Sequence, residues 1–264
     1  MAKAAVLARL EVFTNNANSA GCPILATPLS LWLGWETTTS PASTKPLTPL
    51  TALTPLDTMN KPTLIALKTL TWIACLYPLA ILVYGAVQNN LGPDPTGNIE
   101  FSTGLAALRL LVISLAITPL RKLSPRLSFL IKFRRLLGLF AFFYASIHLI
   151  AYIGLYAGFD PNAILQDVAK RRFITAGVLA WLLLVPLALT STTAAIKRLG
   201  GKRWNQLHKL VYIAVCLGLL HYWWQVKSGV ITPLGITLVM VVLFIARPLL
   251  DWWKAKRAAR LRPA

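Results

Sequence analysis

The apolar positions along this chain fall into blocks of roughly twenty residues, neither alternating as in a half-buried strand nor confined to one helical face. Twenty residues rising 1.5 Å each cover about 30 Å, the thickness of a bilayer's hydrocarbon core. Six blocks are predicted as membrane-spanning helices, over residues 64–87, 103–120, 136–158, 173–193, 207–226 and 231–250. The expected fold is therefore an all-α integral membrane protein, a six-helix transmembrane bundle.

Composition supports this. The chain is 56% hydrophobic with a mean hydropathy of +0.62, more apolar surface than a soluble core absorbs. Its formal charge of +19 would suit nucleic acid if the basic residues shared a soluble face with aromatics, but they sit between the apolar blocks. Nucleic acid is excluded as a partner, and lipid is the expected surroundings. Cys22, Cys75 and Cys216 form no CxxC or CxxCH, so neither a zinc site nor covalent haem attachment is signalled.

Residues 1–60 differ from the rest. Pro23, Pro28, Pro41, Pro46, Pro49 and Pro55 punctuate a Ser/Thr-rich stretch without helical period, which reads as disordered. Arg9 and Glu11 interrupt it, against a signal peptide. Met59 stands just before the first span, so residues 1–58 also read as an upstream, non-native extension. The transmembrane domain is placed at 61–253, followed by a basic tail over 254–264.

Loop charge sets the orientation. The loop 88–102 carries Asp94 and Glu100 with no basic residue, while the next holds Arg121, Lys122, Arg126, Lys132, Arg134 and Arg135. By the positive-inside rule the first is outside and the second inside, and both termini are cytoplasmic. Lys197, Arg198, Lys202, Arg203 and the tail agree; Lys170, Arg171 and Arg172 run against the rule and are outnumbered.

Ionisable residues at membrane depth mark function. All eight acids are expected outside the spans, which leaves an ion-coupled transporter without a carboxylate in its pathway. What remains is His148 in the third span and His208 and His221 in the fifth, the chain's three histidines. One such histidine is commonly a hydrogen-bonded core residue; three, with none elsewhere, point to axial ligation of haem from facing helices. Counted from the cytoplasmic side, His148 lies about 18 Å in, His221 about 21 Å and His208 only about 2 Å. The expectation is one haem held by His148 and His221 in the outer half, with His208 left for a second cofactor near the inner face. Arg109, inside the second span, either pairs with a haem propionate or snorkels to the interface. Arg134 and Arg135, level with His208, either hold an inner cofactor's phosphate or propionates or anchor the helix in the positive-inside sense.

Several ordered strings resemble one family. RRLLGLFAFFYASIHLIAY from Arg134, TSTTAAIKRLGGKRWNQLHKLVY from Thr190, HYWW from His221, LGPDPTG from Leu91 and ITPLR from Ile117 are similar to the MsrQ family, also called YedZ. The resemblance runs from about Leu64 to the basic tail. It implies a haem b membrane subunit of the bacterial inner membrane, with a ferric reductase-like transmembrane domain. Such a subunit passes electrons from the quinone pool or a flavin reductase to the periplasmic molybdopterin protein MsrP, which reduces methionine sulfoxide in envelope proteins. FMN binding is also associated with the family. By position, His148, His208 and His221 match its three histidines. Where related NADPH oxidases place a second histidine on the third span, this chain has Arg134 and Arg135. A guanidinium is a poor iron ligand, so a second bis-histidine haem is in doubt, and the resemblance implies one haem or two.

The chain has no GxGxxG fingerprint and no soluble flavin or nicotinamide domain. Electrons must come from another molecule, which suits a relay subunit better than a complete enzyme. The rival readings are a self-contained ferric or quinone reductase and a non-redox membrane scaffold.

Overall fold

A computed structural model describes residues 60–226 and 231–260. Helix α1 covers Lys61–Val87 and α2 covers Pro95–Leu123. A 3-10 turn, Pro125–Leu130, leads into α3, Ile131–Ala151, which ends in a π turn, Tyr152–Tyr156. Short α4, Pro161–Lys170, precedes α5, Arg172–Leu189; α6 (Thr193–Leu199) and α7 (Gly201–Leu207) lead to α8 (Leu210–Gln225), and α9 runs over Ile231–Arg260.

The helix starts follow their local chemistry. Asp94 caps α2 by accepting from the Gly97 amide at 2.9 Å, with Pro95 in the first helical position. Asp160 and Pro161 start α4 in the same manner. Gly200, at φ +73°, separates α6 from α7, a backbone turn that glycine adopts without steric cost.

Helices α2, α3, α5, α8 and α9 share a core in which Leu108, Leu111 and Leu115 of α2 meet Ala141 of α3, Leu184 of α5, Ala214 and Val215 of α8 and Met240 of α9. The near-zero exposure of Ala141 and Ala214 shows where small side chains let helices close up. By contrast Leu70, Ile73 and Val83 of α1 and Leu238, Val242 and Ile245 of α9 face outward, an apolar exterior suited to lipid.

Prolines break the backbone ladder inside four of the long helices, at Pro78, Pro119, Pro186 and Pro248. At two of them another helix intervenes. The Tyr144 hydroxyl, fully buried, donates to the Cys75 carbonyl (2.7 Å) and accepts from the Leu79 amide (3.1 Å), taking the place of a backbone bond beside Pro78. Arg247 Nη2 donates at 2.6 Å to the Leu115 carbonyl, whose normal partner four residues on is Pro119, without an N–H. Such repairs are required where no water reaches the backbone.

Several boundaries differ from the sequence expectations. Among the described residues five helical stretches are long and apolar enough to cross a membrane: α1, α2, Arg126–Tyr156, α5 and Ile231–Arg257. The fifth expected span, 207–226, is divided. Its membrane part, α8, has 16 residues, about 24 Å at the helical rise, because the turn at His208–Lys209 separates it from α7. His208 therefore caps the short α7 and does not lie on a transmembrane helix. The expected loop 88–102 shrinks because the Asp94 cap starts α2 early, so Glu100 is on the helix. Asp251 likewise lies on α9, bridged to Lys122 at 2.6 Å. The tail residues Lys254, Lys256, Arg257 and Arg260 continue α9. The expectations for residues 1–59 lie outside the described residues.

Candidate histidine pair between two helix hairpins

Two imidazoles face each other in the bundle. His148 comes from the last turn of α3 and His221 from α8; their ring centroids are 5.8 Å apart and their planes 80° apart. The rise per residue had set these two level, and the helices bring them side by side. His148 Nδ1 lies 2.9 Å from the Glu100 carbonyl of α2, and His221 Nδ1 lies 2.7 Å from the Phe173 carbonyl of α5. A carbonyl only accepts, so each Nδ1 carries the proton and donates. Each Nε2 is left with its lone pair, the state in which imidazole binds a metal.

The geometry suits two axial ligands of one iron. Metal–nitrogen bonds of about 2 Å, with ring centres roughly 1 Å behind each nitrogen, put the centroids roughly 6 Å apart across a shared metal. Space has been kept for the rings. A Cβ on Gly104 of α2 would sit 3.0 Å from His148 Cε1 and Nδ1, and one on Gly177 of α5 would sit 2.9 Å from His221 Nδ1. Around the pair, the Phe173 ring lies 6.2 Å from His221. Trp181 of α5 donates at 3.0 Å to Ser146, two residues before His148, and stacks on Phe142.

The other expected site residues lie elsewhere. His208 stacks on Trp204, centroids 3.8 Å apart, with Nδ1 3.1 Å from the Trp204 carbonyl. Its Nε2 is buried and has no hydrogen-bond partner. Arg134 is a charged neighbour of His208, and its carbonyl accepts from Ser114 at 3.1 Å. Arg135 is half-buried on the next position of α3. Arg109 is exposed on α2, a charged neighbour of Tyr222, and makes no side-chain hydrogen bond or ion pair among the described residues. Arg247 was missed by the sequence reading although it lies inside the expected sixth span. Its guanidinium lies 4.8 Å from the Tyr212 ring centroid, and its Nε is buried without a partner. The signal was legible: an arginine in an apolar run, directly before a proline. Among the described residues no three His, Cys, Asp or Glu side chains cluster as a metal site; the histidine pair could supply two ligands to a metal-bearing cofactor.

A multi-pass helical bundle with two main-chain-anchored imidazoles side by side between its helices defines the class: a polytopic helical membrane protein with a paired-histidine site. The family model described as ferric reductase like transmembrane component matches residues 103–219, from α2 to most of α8. The chain is 44% identical over 200 residues to the protein-methionine-sulfoxide reductase heme-binding subunit MsrQ of Herminiimonas arsenicoxydans, spanning 75% of this chain and 91% of that one. It is 46% identical to MsrQ of Xanthomonas axonopodis pv. citri (74% and 89% covered). For MsrQ of Ralstonia nicotianae the identity is 40% (71% and 86%). The chain belongs to the MsrQ family. No solved structure gives a significant match.

Proposed function

We propose that this chain is the haem-bearing membrane subunit of a protein-methionine-sulfoxide reductase system and that His148 and His221 are the axial ligands of its outer haem b. The observation that carries the assignment is the opposed pair of imidazoles, 5.8 Å apart, each held by Nδ1 on a main-chain carbonyl. Relatives of 40–46% identity are named as heme-binding subunits, which supports the same reading. Haem supplies a reversible one-electron couple when bound; the chain's residues hold it, orient it and keep it in an apolar surround.

Six membrane crossings with both termini cytoplasmic complete the proposal, α8 together with the turn before it making the fifth. In this orientation the histidine pair sits toward the outer side of the inner membrane, near the acceptor, the periplasmic protein MsrP. His208 is assigned to the inner side, where its buried, unpartnered Nε2 beside Arg134 can serve a second haem or FMN, with Arg134 and Arg135 meeting propionate or phosphate. Electrons enter there from the quinone pool or a cytosolic flavin reductase. Arg109 is left for a propionate of the outer haem or for the interface.

The test is the reduced-minus-oxidised absorption spectrum of detergent-purified protein beside His148→Ala, His221→Ala and His208→Ala variants. The outer-haem signal is expected to disappear in the first two and survive in the third. A wild type that folds with ample haem supplied and stays colourless overturns the proposal.

A further inference from the structure

The two ligand helices are anchored by one device used twice. His148 reaches the carbonyl of Glu100, and Gly104 stands one turn beyond that carbonyl on the same helix; His221 reaches the carbonyl of Phe173, and Gly177 stands one turn beyond it. Acceptor and histidine are 48 residues apart in both cases. Glu100 to Phe173, Gly104 to Gly177 and His148 to His221 are each a shift of 73 along the chain. The buried Ala141 and Ala214, at the helix closures, stand in the same relation.

The glycines make the contact physically feasible. In an α-helix the carbonyl of residue i points along the axis at the amide of residue i+4, so a second donor approaching from the side must pass over residue i+4. A Cβ there crowds a ring that lies over it, as these imidazoles do. A Cβ at Gly177 would lie 2.9 Å from His221 Nδ1 and 3.1 Å from Cε1; at Gly104 it would lie 3.0 Å from the same two atoms of His148. The contact at Gly177 is closer than carbon atoms adopt, that at Gly104 is tight enough to make the ring give way by a few tenths of an ångström, and the crowded atoms belong to rings held between helices. Gly138 and Gly218, on the histidine-bearing helices α3 and α8, have no neighbour closer than 3.8 Å to such a Cβ. They have room to spare.

We propose that Gly104 and Gly177 are positioning residues for the two axial imidazoles. This rests on the haem reading above. By opening the wall of α2 and of α5 they let each Nδ1–H reach its carbonyl, which points Nε2 at the iron, strengthens the imidazole as a donor and holds the ring planes 80° apart. Near-perpendicular axial planes leave the iron's two π-symmetry d orbitals almost degenerate. The low-spin ferric form then gives a strongly axial EPR signal, whereas parallel planes give a rhombic one.

The experiment uses the full-length, haem-loaded protein as wild type, Gly104→Ala, Gly177→Ala, and the control variants Gly138→Ala and Gly218→Ala. Haem content, the low-spin EPR spectrum and the midpoint potential are read for each. The wild type is expected to give the strongly axial signal. Gly104→Ala and Gly177→Ala are each expected to move it toward the rhombic form and to raise the potential as the Nδ1–H bond is lost, while both controls stay at wild-type values. Unchanged spectra and potentials in Gly104→Ala and Gly177→Ala overturn the inference, as does a rhombic outer-haem signal in the wild type, which needs no variant to fold. Absence of haem from the wild type, or its retention in His148→Ala and His221→Ala, sinks the haem assignment itself and is read separately.

Discussion

Arg247 of the last helix reaches across to the carbonyl of Leu115 in the second, 2.6 Å away, and satisfies a backbone oxygen that Pro119 leaves without its helical donor. A charge at this depth is thus used to repair a proline break. Replacing Arg247 with Leu leaves the Leu115 oxygen buried and unpaired, at a cost of about 1–3 kcal/mol. A lower melting temperature in detergent, with the haem spectrum kept in the surviving protein, is the expected result.

Tyr144 performs the corresponding repair beside Pro78 and ties α1 to the helix that carries His148 one turn later. Tyr144→Phe removes the hydroxyl and strands both the Leu79 amide and the Cys75 carbonyl, again on the order of 1–3 kcal/mol. Hydrogen exchange at Leu79 and its neighbours should quicken markedly, while exchange in the core of α8 changes little.

The Asp94 cap carries a pH signature. The Gly97 amide and then the Thr96 hydroxyl hold its carboxyl below the ordinary value of 3.8. A depressed folded-state value means that the cap's contribution is complete above that ordinary value and is lost as pH falls through the lowered one. Exchange at Gly97 should therefore rise under acid. Asp94→Asn, which keeps a capping oxygen, should flatten this dependence; an unaltered acid response in the variant counts against the assignment.

Topology is open to direct labelling. In a background with Cys22, Cys75 and Cys216 replaced by Ser, a single cysteine at Asn90 is expected to react with a membrane-impermeant maleimide in intact spheroplasts. One at Lys202 is expected to react only after lysis. The reverse pattern refutes cytoplasmic termini.

Residue order by itself determined that this is a membrane protein, where most helices run and that its few histidines lie in or beside apolar segments, because hydrophobic block length and scarce ionisable residues are local properties of the chain. It also carried the spacing shared by the two glycines and two histidines, but those matches mean little until helices are paired. Tertiary structure decided the rest. The depth count set His208 and His221 on one helix at its two ends, but the turn at His208–Lys209 removes the first from that helix altogether. Glu100 reads from its charge as a loop acid, yet its contribution to the pair is a main-chain oxygen, which no side-chain pattern announces. Gly104 and Gly177 read as ordinary helix glycines until a neighbouring ring is seen to need the missing Cβ. Periodicity reports what one helix buries, whereas the approach of a ring to another helix's carbonyl depends on how two helices pack, and that is decided by contacts between residues distant in sequence.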